Sequence, residues 1–314
     1  MQKYFGFRGE QNNMKPYKMS KEEKEYLETY DIAAFERPSI ATDVVVFSIL
    51  NDGERDNIRK RQKKRLKVLL IKRATYPYKD CWAMPGGFCV PGEDVIDTAK
   101  RELFEETNVQ DAYLKLVGVY GEKNRDPRGW IISNTFMALM DGEKCELKAG
   151  TDAWEAKWFS INVASEIVEK NVKDNEIFIQ TDYEMIFENT EAGISFTTLV
   201  KEYKTFRNNH QSVRYEIVES GNLAFDHGKI ILDALLCLRK EVSDNLKLAF
   251  DLMPESFTLT NLQNVYELIL DKKLITANFR RKIADYVVET NQMLDGEGFR
   301  PAKLFKRKVD AFFY

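Results

Sequence analysis

Apolar positions along the chain change their period several times, and each change predicts an element. Val44–Leu50 is a continuous apolar run of strand length, and Lys67–Lys72 carries a second one in Val68, Leu69, Leu70 and Ile71. Asn51-Asp52-Gly53 is a turn signal between them, so the two strands are expected to form a hairpin with a long, basic connection reaching Arg65. Met84–Gly92 is rich in Gly and Pro. The period then becomes helical over Glu93–Glu106, where Val95, Ile96, Ala99 and Leu103 recur on one face. Strand-like segments follow at Leu114–Tyr120, Trp130–Met140 and Ala156–Phe159. This alternation predicts an α/β fold.

Past residue 161 the pattern is mostly β. Ile177–Gln180, Tyr183–Phe187, Ser195–Tyr203 and Val213–Val218 read as strands joined by turns such as Asn189–Gly193, and suggest an inserted β subdomain. From Leu223 onward helices dominate: Ala224–Lys240, Val242–Leu252, Thr258–Leu270 and Thr276–Val288, then a turn at Asp295–Gly298 and a short strand at Ala302–Lys308. At the other end, residues 1–20 read as a loose polar leader, and Ser20 with Glu23 forms a capping-box signature that starts a short helix. The implied order is a leader with a helix over 1–39, an α/β domain over 40–161, a β segment over 162–222 and an α-rich domain over 223–314.

Composition narrows the chemistry. The 314 residues suffice for about two domains of ordinary size. With 44% hydrophobic and 31% charged residues the chain has a globular composition. Lys and Arg number 47 against 50 Asp and Glu, a net charge of -3, which excludes a uniformly basic nucleic-acid coat but not a local basic patch. Only His210 and His227 are present, so a His-built zinc site is not expected, and any Ser-His-Asp triad must use one of them. Cys81, Cys89, Cys145 and Cys237 lack CxxC spacing and read as reduced thiols of a cytoplasmic protein. Met1–Arg37 has no apolar core of the export-signal kind, and no apolar run is of membrane length, so no membrane association is expected.

The informative stretch begins at Gly87. Glu102, Glu105 and Glu106 lie at i, i+3 and i+4 on a helix, so three like charges share one face and repel unless neutralised. A hard divalent cation with oxygen ligands, Mg²⁺ or Mn²⁺, does this. The preceding glycines let backbone groups approach the ion or a phosphate closely. Glu93 and Arg101 are about two turns apart on a similar face, so Arg101 can pin a neighbouring carboxylate. A lone Glu triplet is an ordinary solvated face. The full spacing here, G-x5-E-x7-R-E-U-x-E-E-x-x-U with every charged position filled (U being apolar), is not.

That pattern resembles the signature box of the Nudix hydrolase superfamily, with Asn108 standing where the family has glycine; Asn tolerates left-handed backbone better than most residues. The resemblance implies a Nudix α/β/α sandwich. It also implies metal ligation by the Gly87 carbonyl, Glu102, Glu105 and Glu106, with Arg101 in the catalytic set and Glu102 or a carboxylate outside the box as base. Water would attack a phosphorus of a nucleoside diphosphate derivative. Trp82–Phe88 is similar to the family's approach to the box, which adds Gly86 to Gly87 as a candidate substrate contact. Arg125-Asp126-Pro127-Arg128-Gly129 resembles a motif of ADP-ribose-directed members and their regulatory relatives. A forked guanidinium from Arg125 or Arg128 suits a diphosphate, while Asp126 pairing one Arg in a charged turn is the plainer account. Arg73 and Tyr76–Tyr78 lie just before the box, where an aromatic can stack a base or serve equally as a buried structural Tyr.

The last part of the chain reverses the charge. Lys272–Lys308 contains ten Lys or Arg and four acids. Leu262, Val265, Tyr266 and Ile269 form a core face on one helix, a short Asp271–Ile275 link follows, and Thr276 is the candidate cap of a second helix carrying Asn278, Arg280, Arg281 and Lys282. With Arg300 and Lys303 on a β-wing, this arithmetic describes a winged helix able to enter a DNA groove; a fold used only for packing or dimerisation gives the same spacing. Leu223–His227, Phe257–Glu267, Asn278–Lys282 and Arg300–Phe305 are similar to the C-terminal domain of the Nudix-related transcriptional regulators. That likeness implies a homodimer whose Nudix domain senses ADP-ribose or a related metabolite and whose winged helix binds double-stranded DNA. Two activities therefore compete, diphosphate hydrolysis and ligand-responsive repression. The intact carboxylate set favours hydrolysis, because regulators of this group often lose those groups.

Overall fold

In the computed structural model of the chain the described residues are 17–52, 64–110, 112–144, 147, 153–173, 175–208, 210–296 and 299–309. The chain divides into two units, Met1–Arg37 and Pro38–Tyr314. In the first, helix α1 spans Lys21–Thr29. Its capping box forms as expected: Glu23 N donates to Ser20 Oγ at 3.2 Å, and Ser20 N donates to the Glu23 carboxylate at 2.6 Å. The helix buries none of its residues.

The second unit is built on one mixed sheet. Its strands are β1 (Ser39–Asn51), β2 (Lys64–Arg73), β3 (Trp82–Ala83), β4 (Gly86–Phe88), β5 (Tyr113–Tyr120), β6 (Ile131–Leu139), β7 (Ala153–Lys173), β8 (Glu176–Asn189), β9 (Ile194–Arg207) and β10 (His210–Glu219). They run in the order β10-β9-β8-β7-β2-β1-β6-β5, with β3 on β2 and β4 on β1. The β1–β6 pair is parallel, and the others are antiparallel, including the expected β1–β2 hairpin with Asn51 opposite Lys64.

Side chains alternate across the sheet and both faces are covered. Val44, Val46, Leu69, Phe136 and Ala138 pack against Ala99 and Leu103 of helix α2 (Val95–Thr107). Val45, Phe47, Val68, Leu70, Met137 and Leu139 share a core with Ile230, Ile231, Leu235 and Leu238 of helix α3 (His227–Asp244). Each fully buried Val, Leu, Ile, Phe or Met among them contributes roughly 1.5–3 kcal/mol of transfer free energy. This is the expected helix–sheet–helix sandwich. Asp233 of α3 also accepts from Tyr120 of β5 at 2.7 Å and from Tyr215 of β10 at 3.2 Å, so one carboxylate ties both ends of the strand path to the helix.

The remainder differs from expectation in several places. The segment 162–222 is not a separate β body: β7 runs unbroken through residue 162, and β8, β9 and β10 extend the same sheet. No second helix occupies 242–252. Helix α3 ends at Asp244, in the cap-favouring run Ser243-Asp244-Asn245, and a 3-10 turn covers Leu248–Leu252. Helix α5 covers Thr276–Ile283 and not 276–288, because Val287, Val288 and Thr290 join the hairpin of β11 (Val287–Gly296) with β12 (Phe299–Arg307). The cap position of α5 is Ile275, and Thr276 is already helical. Between these lies α4 (Leu259–Leu270), capped by Thr258, whose hydroxyl accepts from Asn261 N at 3.1 Å. The helical pair and hairpin make the expected winged helix.

Candidate functional site

Local sequence builds the acidic end of the site. Glu93, just before α2, accepts from Arg101 Nε and Nη2 at 2.8 and 3.0 Å and from Thr98 Oγ1 at 2.7 Å. Arg101, then Thr98, hold its carboxyl down at about 2, and Glu93 in turn raises Arg101. Arg101 Nη1 also donates to Glu102 at 2.6 Å and to Glu105 at 3.1 Å. The guanidinium thus pins its neighbouring carboxylates, as the spacing suggested. Burial raises the Glu102 carboxyl above the usual range against the opposing pull of Arg101. Glu106 is buried and accepts from Gly86 N at 2.8 Å, whereas Glu105 is exposed. Asn108 ends the helix at φ 60°, ψ 20°, its amide donating to Phe104 O at 2.8 Å, so the residue replacing the expected glycine adopts left-handed backbone.

Backbone crowding requires glycine at 86, and the Glu102 carboxylate fills the space beside Gly87. A Cβ at Gly87 would lie 2.3 Å from Glu102 Oε1, and one at Gly86 would lie 2.3 Å from the Thr42 carbonyl. Beside them opens a pocket of about 250 Å³ lined by Glu102, Glu106, Asp43, Arg73, Arg125 and Arg128 among others. Its guanidiniums are tethered internally. Arg125 forks onto Asp226 at 3.0 and 2.8 Å, with only 6% of its side chain exposed. Arg128 forks onto Asp126 at 3.0 and 2.7 Å, which is the plainer account anticipated for that turn. Arg73 donates to Pro77 O at 2.8 Å and lies over the Phe225 ring, 4.9 Å from its centroid. Burial, and then Arg128, lower the Arg73 guanidinium. Tyr76 stands 83% exposed at the rim.

Phe225 and His227 of this pocket, with Asp226 between them holding Arg125, escaped the sequence reading as site residues. His227 is buried and its Nδ1 accepts from Met84 N at 3.0 Å, while burial lowers the imidazole to about 4, so it is neutral. Their signal was three consecutive chemistry-bearing side chains at a helix start.

Among the described residues no three His, Cys, Asp or Glu side chains converge as a ligand set. The donors still fit a hard divalent ion: all are oxygens, and Gly87 leaves the gap beside Glu102 that a Cβ would fill.

On the winged helix, Phe279 and Ile283 are buried, with Phe279 edge-on to Tyr266 at 5.2 Å, which turns Asn278, Arg280, Arg281 and Lys282 outward and exposed. Lys303 is exposed and pairs with Glu289 at 2.6 Å. The side chain of Arg300 lies outside the described residues, as does the basic run over residues 59–63. Of its remainder, Lys64 pairs with Glu143 and Arg65 with Asp52. Among the described residues no helix is long and apolar enough to cross a membrane.

Comparison with known proteins agrees with this geometry. The NUDIX domain model matches residues 44–181, and the model of the NrtR DNA-binding winged helix domain matches residues 249–306. The ADPR responsive transcriptional repressor NtrR of Acinetobacter baylyi is 28% identical over 287 residues, covering 90% of this chain and 88% of that protein. The ADP-ribose pyrophosphatase of Methanocaldococcus jannaschii is 40% identical over 140 residues, covering 44% of this chain and 72% of that protein. A MutT/nudix family protein from Enterococcus faecalis shares the fold with a TM-score of 0.60 at 23% identity, over 93% of this chain and all of that one. The chain belongs to the Nudix family and carries an NrtR-type DNA-binding winged helix domain behind its Nudix domain.

Proposed function

We propose that the protein is a metal-dependent hydrolase that cleaves the diphosphate of ADP-ribose or a similar nucleoside diphosphate derivative, and that its winged helix binds double-stranded DNA, the active form being a homodimer. The observation that carries the enzymatic half is the complete carboxylate set on α2, with Glu102 and Glu106 facing a wall of three arginines in one pocket. Similarity to the archaeal ADP-ribose pyrophosphatase supports the substrate class. Arg73 and Arg128 attract the diphosphate, Arg125 steadies it, and Gly86 and Gly87 leave room for it. Glu102, or a carboxylate outside α2, takes the proton of the attacking water. Glu102, Glu105, Glu106 and the Gly87 carbonyl would hold Mg²⁺ or Mn²⁺. When bound, such an ion supplies Lewis acidity and neutralises phosphate charge.

A second reading, a ligand-responsive repressor with little or no hydrolysis, has its own support. The similarity to the Acinetobacter repressor spans both domains, and Arg101 already neutralises Glu102 and Glu105. AMP release from ADP-ribose with Mg²⁺ or Mn²⁺ separates the two. Turnover abolished by Glu105→Gln or Glu106→Gln supports the hydrolase, and no turnover across a panel of nucleoside diphosphate derivatives overturns it in favour of the repressor.

A further inference from the structure

His227 spends one ring nitrogen on the protein and keeps the other for the pocket. Nδ1 accepts from Met84 N at 3.0 Å. A backbone amide can only donate, so Nδ1 carries no proton and the single proton of the neutral ring sits on Nε2. The ring is further held by Phe225, whose centroid lies 5.3 Å away. Among the described residues nothing accepts from Nε2, although His227 is only 4% exposed and lines the pocket. A buried donor without an acceptor is costly, so this one calls for a partner that enters through the pocket.

Asp43 of β1 stands close to it and lines the same pocket. Met84 holds the imidazole, and Gly86, two residues along, lies against the carboxylate: a Cβ at Gly86 would be 2.7 Å from Asp43 Oδ1. Two residues of chain span at most about 7 Å. Of the charged groups around the ring, Asp43 acts on it most strongly, ahead of Arg125 and Arg73. Asp43 Oδ2 accepts from the Ser133 hydroxyl, and a carboxylate has acceptor sites to spare beyond that.

Beside its arginines the pocket therefore holds a neutral donor and an anionic acceptor. This pair does not suit a phosphate: a neutral imidazole adds no countercharge, and Asp43 repels an anionic oxygen. It suits a hydroxyl, which accepts with a lone pair and donates its proton. We propose that His227 is a specificity-determining residue of this site: its Nε2–H donates to one ribosyl hydroxyl of the ligand, and that hydroxyl donates to the Asp43 carboxylate. The inference deepens the reading that the pocket takes a nucleoside diphosphate derivative, and rests on it. The arginines hold the diphosphate whatever it carries, and the His227–Asp43 pair selects the sugar.

The test is isothermal titration calorimetry on the full chain with Mg²⁺, using α,β-methylene ADP-ribose and forms of it that each lack one ribosyl hydroxyl. In the wild type one of these forms binds about tenfold more weakly than the parent, or worse, because both partners of the missing hydroxyl are left unpaired, while the others stay within about threefold. In His227→Asn the carboxamide still accepts from Met84 N but ends short of the Nε2 position, so the gap between that form and the parent closes. Asp43→Asn, which removes the anionic acceptor, narrows it as well. The ratio of the two affinities is the readout, so a general loss of binding does not mimic the effect. No single form standing out in the wild type, or a wild-type gap retained in His227→Asn or in Asp43→Asn, overturns the assignment and leaves the diphosphate reading standing. Failure of the parent compound to bind the wild type overturns both.

Discussion

His227→Asn probes how far the pocket floor depends on a neutral, buried imidazole. Asn keeps an acceptor for the Met84 amide, now bonded at 3.0 Å, but cannot take a proton. In the native state the imidazole is lowered from 6.5 to about 4, so the unfolded chain binds its proton first as the pH falls. The stability that comes from keeping it neutral is therefore complete above pH 6.5 and is lost progressively as the pH falls toward 4 and through it. A tenfold difference in proton affinity between the folded and unfolded chains is worth about 1.4 kcal/mol, so the total is roughly 3 kcal/mol, of which roughly 2–3 kcal/mol is lost between pH 7.5 and 4.5. Urea unfolding followed by tryptophan fluorescence at those two pH values measures it. Carboxylates contribute equally to both proteins, so the difference between wild type and variant isolates His227. The wild type should lose roughly 2–3 kcal/mol more than the variant over that interval. Equal losses would overturn this expectation, because they would mean that the imidazole titrates alike in the folded and unfolded chains.

Other expectations follow from the same geometry. Glu106→Gln should lower kcat for ADP-ribose by about 10²-fold or more while shifting KM little, since it removes a carboxylate and leaves the arginine wall intact; steady-state kinetics check this. Arg280→Ala with Arg281→Ala should weaken binding to the DNA upstream of the coding sequence and reduce the slope of log K against log salt by about 2, read by fluorescence anisotropy.

How much of this was legible in the sequence depends on the range of the interactions. The α2 site was readable because Glu93, Arg101, Glu102, Glu105 and Glu106 lie within a few turns of one another, so spacing alone places them together. Asn108 was readable for the same reason, as a local backbone demand. The length of β7 was not, because the mixed polar and apolar residues past 162 gain their strand state from pairing with β8. Nor was the start of the hairpin at Val287, where pairing with Arg307 ends a helical pattern that continued locally. The arginine wall was half legible: Arg125 and Arg128 were flagged, but their forks could not be told apart. Asp126 lies two residues from Arg128, whereas Asp226 reaches Arg125 from a hundred residues away. The contacts of Phe225 with Arg73 and of His227 with Met84 are long-range in the same way.

Whether this pocket hydrolyses a diphosphate is decided by turnover of ADP-ribose in ¹⁸O-labelled water with Mg²⁺ or Mn²⁺. AMP and a sugar phosphate are the expected products, with a single ¹⁸O on the phosphate of one of them, and both products should be lost in Glu106→Gln. Intact ADP-ribose, or label found on a sugar hydroxyl and not on a phosphate, would contradict diphosphate hydrolysis at this site.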